Sequence, residues 1–237
     1  MKVQKVMQSS NENSIKQSTI TRRFDLIVWD WDGTLANSTG MITEAFVTAA
    51  AHVGLHAVPA ENVTNIIGLG LKESIFAVYG DIAPEIAQKL AQQYSANYYA
   101  GEQAIPLFEG AKNTVIELNR HGYKVAVATG KGRRGLNLAL QHCGLTQYFH
   151  ATRTVDECFS KPHPQMLDEL MDECVTTPER TLMIGDTSYD MQMAANAGVP
   201  AVAVTFGAQS REKLLSYNCI QMFNKFSDLS TWLLSDA

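Results

Sequence analysis

The sequence predicts an α/β fold, a doubly wound parallel sheet interrupted early by an inserted helical segment. Short apolar runs with almost no polar positions recur along the chain and read as strands buried on both faces. Longer amphipathic stretches separate most of them, which is the alternation of a parallel sheet with crossover helices. Aspartates stand just beyond two of the runs, at the strand ends where open α/β sheets bind ligands.

Residues 1–21, rich in Ser, Asn, Gln and Lys, have no periodic apolar face and are expected to form a mobile tail. The first strand, Phe24-Asp25-Leu26-Ile27-Val28-Trp29, delivers Asp30 and Asp32 to the carboxyl end of the sheet, and Gly33 marks a turn just after. From Ser38 to Pro106 the pattern becomes helical. Ile42, Ala45, Phe46, Ala49 and Val53 share one face, and Asn62–Ile67 and Leu71–Tyr79 suit shorter helices separated by Gly68 and Gly70. Ile86, Leu90, Tyr94 and Tyr98 then follow Pro84 along one helix face.

Alternation resumes with a helix at Ala111–His121, a strand at Tyr123–Thr129, a helix at Arg133–Cys143 and a short strand near His150–Thr154. A helix at Pro164–Glu173, a strand at Thr181–Ile184, a helix through Ala197 stopped by Gly198, and a strand at Pro200–Phe206 complete it. The expected organisation is a tail (1–21), a core domain (22–37 and 107–237) and an inserted helical cap (38–106). The cap sprouts beside the aspartates, where a lid would sit.

With 237 residues the chain can hold one large core and a modest insertion. A net charge of -5 argues against nucleic acid as the main partner. No apolar run approaches the roughly 20 residues of a membrane helix, and no signal-peptide core is present, so no membrane partner and a cytoplasmic location are expected. Cys143, Cys158, Cys174 and Cys219 form no Cys-x-x-Cys pair, which disfavours a zinc site or a disulfide framework and leaves reduced thiols. Cys158, close to Lys161 in sequence, is the one thiol placed where redox sensitivity would matter.

The candidate chemistry starts with carboxylates. In an extended backbone residues two apart point the same way, so Asp30 and Asp32 could share one site unless the chain turns between them. In Gly185-Asp186-Thr187-Ser188-Tyr189-Asp190, a helix starting near Thr187 would aim Asp186 and Asp190 at the same mouth. Two carboxylates about 4 Å apart repel by roughly 4 kcal/mol at an effective dielectric near 20. A hard divalent cation with oxygen ligands, most plausibly Mg²⁺, would neutralise such a cluster. Thr129-Gly130-Lys131 ends a strand in a hydroxyl and a glycine turn before a helix, a candidate phosphate cradle. In Ser160-Lys161-Pro162-His163-Pro164 a lysine precedes a stiff turn, within reach of both an aspartate and a phosphoryl oxygen.

Together, Asp-x-Asp-Gly-Thr, the Thr-ended strand, the Lys-Pro turn and Gly-Asp-x-x-x-Asp resemble the haloacid dehalogenase superfamily of phosphohydrolases, over roughly Phe24 to Phe206. The resemblance implies a Rossmann-like core. The insertion looks like the cap of the subgroup that contains phosphoglycolate phosphatases and β-phosphoglucomutases. By that resemblance Asp30 is the nucleophile that becomes an aspartyl-phosphate, and Asp32 is general acid and then general base. Mg²⁺ would bind Asp30, the backbone carbonyl of Asp32 and Asp186, with Asp190 as a direct or outer ligand. Thr129, Gly130 and Lys161 would hold the transferring oxygens.

Asp32 sets the chain apart from the dehalogenases and phosphonate hydrolases of the superfamily, which lack an aspartate there. Lys72 lies where the phosphonate hydrolases carry a Schiff-base lysine; with Asp32 present it is a candidate substrate contact at most. Asn37 departs from the aspartate that many members carry after the first motif. His163 reads as a loop residue, while Lys131, Arg133 and Arg134 could either draw an anionic substrate or form a solvated helix face.

Between Ser38 and Pro106 the bases are Lys72 and Lys89, against Glu44, Glu61, Glu73, Asp81, Glu85 and Glu102. A large polyanion should not be gripped by such a surface. The expected partner is a small phosphorylated metabolite, phosphoglycolate being one candidate, and the expected enzyme a Mg²⁺-dependent phosphatase. A sugar-phosphate mutase, a pyrophosphatase and a catalytically silent binding protein on the same scaffold are the alternatives.

Overall fold

The computed structural model describes residues 22–101 and 105–236. Strand β1 (Leu26–Trp29) leads through a tight turn into four helices, α1 (Thr39–His52), α2 (Ala60–Thr64), α3 (Leu71–Tyr79) and α4 (Pro84–Gly101). The chain then alternates through α5 (Ala111–Arg120), β2 (Lys124–Thr129), α6 (Arg133–Cys143), β3 (Ala151–Thr154) and α7 (Gln165–Cys174). It continues through β4 (Thr181–Gly185), α8 (Ser188–Asn196), β5 (Ala201–Val204), α9 (Arg211–Leu214), β6 (Gln221–Phe223) and α10 (Phe226–Asp236).

The strands form one parallel sheet in the order β3-β2-β1-β4-β5-β6. Successive side chains in an extended backbone point to opposite faces, and both faces here are covered. Ile27, Trp29, Val127, Ile184 and Val204 pack on α5, α6 and α10 through Val115, Leu118, Leu136, Leu140 and Leu229. Leu26, Val28, Ala128, Met183 and Ala203 meet Leu167, Leu170, Met171 and Met193 of α7 and α8 on the other side. That double burial is why the strands read as unbroken apolar runs. β1 lies between β2 and β4, so the strand order reverses there and opens a crevice at their carboxyl ends.

The four inserted helices have an apolar cluster of their own around Phe46, Ala49, Val63, Ile75 and Leu90. The chain leaves and re-enters the sheet domain through paired segments. Asn37 N donates to Pro106 O and Phe108 N to Leu35 O, each at 2.9 Å, and Ala36 bridges Leu107 in antiparallel fashion.

The structure departs from the sequence reading at α2 and beyond Phe206. The helix expected at Asn62–Ile67 is α2, which ends at Thr64; turns follow, and Ile66 and Ile67 fold inward there as buried side chains. Beyond Phe206, α9, β6 and α10 were not anticipated. β6 is a three-residue edge strand, too short to show a period, whereas α10 buries Phe226, Leu229 and Leu233 at helical spacing, a signal that was legible. The tail expected over residues 1–21 lies outside the described residues. Among those described, no helix is long and apolar enough to cross a membrane.

Candidate active site

Asp30 follows β1 and Asp186 follows β4, two neighbouring parallel strands, so both carboxylates emerge at the crevice. Thr187 caps α8, and Asp190 in its first turn closes a capping box with Thr187. Oxygens of Asp30, Asp186 and Asp190 all lie within 4.8 Å of one another, and all three residues are buried. Lys161, from the turn before α7, lies in the same place. Its Nζ donates to Asp190 Oδ1 at 2.6 Å and sits 2.7 Å from Asp30 Oδ1.

Hydrogen bonds fix each acid differently. Asp190 Oδ2 accepts from Thr187 N at 3.0 Å and from Thr187 Oγ1 at 2.6 Å. Asp186 Oδ1 accepts from Thr34 Oγ1 at 2.8 Å and its Oδ2 from Ala208 N at 2.6 Å. Asp30 is the exception. Its Oδ1 faces the Lys161 ammonium at 2.7 Å, whereas its Oδ2 has no hydrogen-bond partner among the described residues. A buried carboxylate oxygen without a donor is costly, and such an atom usually signals a missing partner.

The electrostatics agree. Burial, then the charges of Asp190 and Asp186, raise Asp30 well above the ordinary carboxylate range despite the opposing pull of Lys161. Burial and then Asp190 push Asp186 up to about 7, although Ala208 and Thr34 hold it down in part. For Lys161 burial works against the charged form, but Asp190 and Asp30 outweigh it and keep the ammonium protonated. Three buried oxygen-donor acids against one ammonium, with Oδ2 of Asp30 unsatisfied, suit a hard divalent cation.

Asp32 is built apart from this cluster. The chain turns just beyond β1, with Leu35 N and Ala36 N donating to Trp31 O, while Trp31 itself enters the core. Asp32 Oδ1 accepts from Ser38 Oγ at 2.8 Å and lies 3.4 Å from Lys131 Nζ, and its carboxylate takes no part in the three-acid cluster. Gly33 makes the turn possible. Its φ is +86°, and a Cβ there would fall 2.2 Å from Asp186 Oδ2.

A cavity of about 290 Å³ opens over Asp30 and Asp32, with Thr129, Gly130, Lys131 and Arg134 on the core side and Ile42, Phe46, Ile66, Tyr94, Tyr98 and Tyr99 from the inserted helices across it. Thr129 Oγ1 accepts from Lys131 N at 3.1 Å. The helical insertion sits directly on this loop: a Cβ on Gly130 would lie 2.4 Å from Gly68 O and 2.6 Å from Leu69 O. Gly70 N donates to Ser160 Oγ at 2.9 Å, and Lys131 Nζ meets Tyr98 Oη while lying 4.2 Å from that ring's centroid.

The fold thus gathers Asp30, Asp32, Thr129, Gly130, Lys161, Asp186 and Asp190 at one end of the sheet. Lys72 is not among them. It is exposed on α3 and lines a separate shallow depression with Ala87, Gln88 and Ala91, because Leu71 and Ser74 occupy the helix face turned to the cavity. Cys158 is also no candidate, since it is packed in the core and burial pushes its thiol up to about 11. Arg133 is tied to Glu157 and Thr152. Thr34, Ser38, Ala208 and Tyr98 were missed. Thr34 lay inside a recognised motif and Ser38 reaches Asp32 from six residues on, whereas Ala208 and Tyr98 reach the site only through tertiary packing.

The family model for haloacid dehalogenase-like hydrolases matches residues 27–204. The chain belongs to this family. Among curated proteins it is 31% identical to the pyrophosphatase PpaX of Anoxybacillus flavithermus, over 86% of this chain and 94% of that one. It is 28% identical to the pyrophosphatase PpaX of Bacillus mycoides, over 87% and 95%. Among solved structures, a predicted phosphoglycolate phosphatase from Haemophilus somnus superposes with a TM-score of 0.79 at 23% identity, covering 89% of this chain and 98% of that one. A predicted phosphatase from Clostridium acetobutylicum gives 0.79 at 24% identity, with the same coverage. Both structures share the α/β fold of this chain.

Proposed function

We propose that this haloacid dehalogenase-like hydrolase is a phosphatase that transfers the phosphoryl group of a small phosphate monoester first to Asp30 and then to water. The observation that carries the proposal is Asp30 itself: a buried carboxylate at the floor of a cavity, with one oxygen against the ammonium of Lys161 and the other without a donor. An oxygen of Asp30 attacks phosphorus as the ester P–O bond breaks, and Asp32 delivers a proton to the departing alkoxide. Water then attacks the aspartyl-phosphate, Asp32 takes its proton, and phosphate leaves with the Asp30 carboxylate restored.

The remaining residues position and neutralise. Ser38 and Lys131 both hold Oδ1 of Asp32, which leaves Oδ2 for the proton transfers. Lys161 offsets the charge of Asp30 as an anionic phosphate approaches, and Thr129 and Gly130 border the place where its oxygens would lie. Asp30, Asp186 and the backbone carbonyl of Asp32 would hold Mg²⁺, with Asp190 behind them. Bound there, the cation supplies positive charge to the transferring oxygens. The activity fits a cytoplasmic setting, in keeping with four free cysteines.

A second reading, pyrophosphate hydrolysis by the same steps, is favoured by the names of the curated relatives. Purified protein with Mg²⁺ should release phosphate from a generic aryl phosphate, and Asp30→Asn should lower the rate by at least about 10³-fold. Unchanged release in that variant would refute the mechanism.

A further inference from the structure

The half of the cavity away from Asp30 is aromatic. Phe46 meets Tyr94 edge-on at 6.1 Å between centroids, Tyr94 stacks on Tyr98 at 5.9 Å, and Tyr98 meets Tyr99 edge-on at 6.0 Å. Ile66 continues this wall, and Ser74 and Ser95 interrupt it. Neither lysine of residues 38–106 contributes to it: Lys72 faces a different depression, and Lys89 is exposed and absent from the lining. The cations in the lining, Lys131 and Arg134, both come from the loop and helix after Thr129. Lys131 is already committed to Asp32 and Tyr98, and the Arg134 guanidinium lies 5.1 Å from the Tyr99 ring centroid.

We infer that the leaving group of the substrate is a compact aromatic or arylalkyl alcohol, a class that includes neither pyrophosphate nor a short hydrophilic acid. The inference rests on the phosphatase reading and narrows its substrate. Along this wall a second phosphoryl group or a carboxylate would meet one guanidinium, that of Arg134, and otherwise rings, Ile66 and the hydroxyls of Ser74 and Ser95. An aromatic ring instead gains both desolvation and edge or stacking contacts. Size agrees as well: about 150 Å³ is enough to hold a benzene ring, so about 290 Å³ takes one ring and a phosphoryl group.

The test compares kcat/KM for 2-phenylethyl phosphate, glycerol 3-phosphate, 2-phosphoglycolate and pyrophosphate with Mg²⁺ present. 2-Phenylethyl phosphate and glycerol 3-phosphate both release an alkoxide, so intrinsic reactivity does not decide between them. Phenylethyl phosphate should exceed each of the other three by about tenfold or more. Ser95→Lys, which places a cation in the wall on a helix that tolerates lysine, should shrink the margin over pyrophosphate at least about tenfold. Binding gives a readout free of turnover and of variants: 2-phenylethylphosphonate should bind the wild-type protein about tenfold tighter than methylphosphonate by calorimetry. Equal binding of the two phosphonates, or an equal or better rate with any of the other three substrates, overturns the inference. Failure of the phosphatase reading looks different, as absence of phosphate release from all four compounds.

Discussion

At the carboxyl edge of the sheet, Asp30, Asp186, Asp190 and Lys161 form a small charged cluster in which most atoms are tied to a named partner. Across the same cavity the inserted helices present mainly rings and aliphatic side chains, with Ile66 and Phe46 buried among their own neighbours. The charged wall depends on strand ends, which fix a side chain to within one residue of register. The apolar wall depends on helix faces, where several residues can serve and none is singled out by a motif. Chemistry is therefore specified on one side and substrate shape on the other, and substitutions on the two sides should fail in different ways.

The largest structural effect is expected at Lys161. Lys161→Met removes the ammonium shared by Asp30 and Asp190 and leaves buried acids uncompensated. Breaking one side of a buried ion pair typically costs about 3–5 kcal/mol. Urea unfolding near neutral pH with a chelator present should show a loss of that order, along with loss of activity. If stability is unchanged while activity falls, the lysine serves the substrate only, and the charged wall is not held together in the way argued here.

Next comes the response to pH. Asp186 is pushed from its ordinary value of 3.8 up to about 7, chiefly by burial and then by Asp190, and Asp30 is raised for the same kinds of reason. Between those values the folded chain keeps protons that the unfolded chain has lost. Stability of the metal-free protein should therefore be fully present below the ordinary carboxylate pKa and fall as pH rises toward about 7. A divalent cation that binds the ionised acids reverses this loss. Melting temperature with a chelator should drop from pH 5 to pH 7.5, and Mg²⁺ should raise it more at the higher pH. Equal Mg²⁺ shifts at both would separate metal binding from these carboxylates.

The same contrast explains what could be learned from the sequence. Asp30, Asp186 and Thr129 were legible because each follows or ends an apolar run of a buried strand, so a one-dimensional pattern fixed a three-dimensional place. Lys161 and Asp190 were legible through motif spacing. The separation of Asp32 from the acid cluster was not, because it depends on the turn after β1 and on Trp31 entering the core. Ala208, whose amide holds Asp186, lies beyond β5 and carries no functional side chain. Tyr98 was placed on the right helix face, but its contact with Lys131 comes from how the insertion docks onto the sheet domain.

Lys72 is the sharpest probe of the apolar wall, because a large effect there would break the comparison and a null result sharpens it. Its side chain is exposed on α3, one residue from Leu71, which faces the cavity. A charge in that position is separated from the phosphoryl end by the helix and its buried Ser74 and Ile75, and solvent screens it over about 10 Å at moderate ionic strength. Lys72→Ala should leave kcat/KM for every substrate within about twofold and change stability by no more than about 0.5 kcal/mol, as for surface sites without special contacts. A selective loss with anionic leaving groups would instead mean that α3 turns during the cycle, bringing a cation into a wall that here has none from the inserted helices.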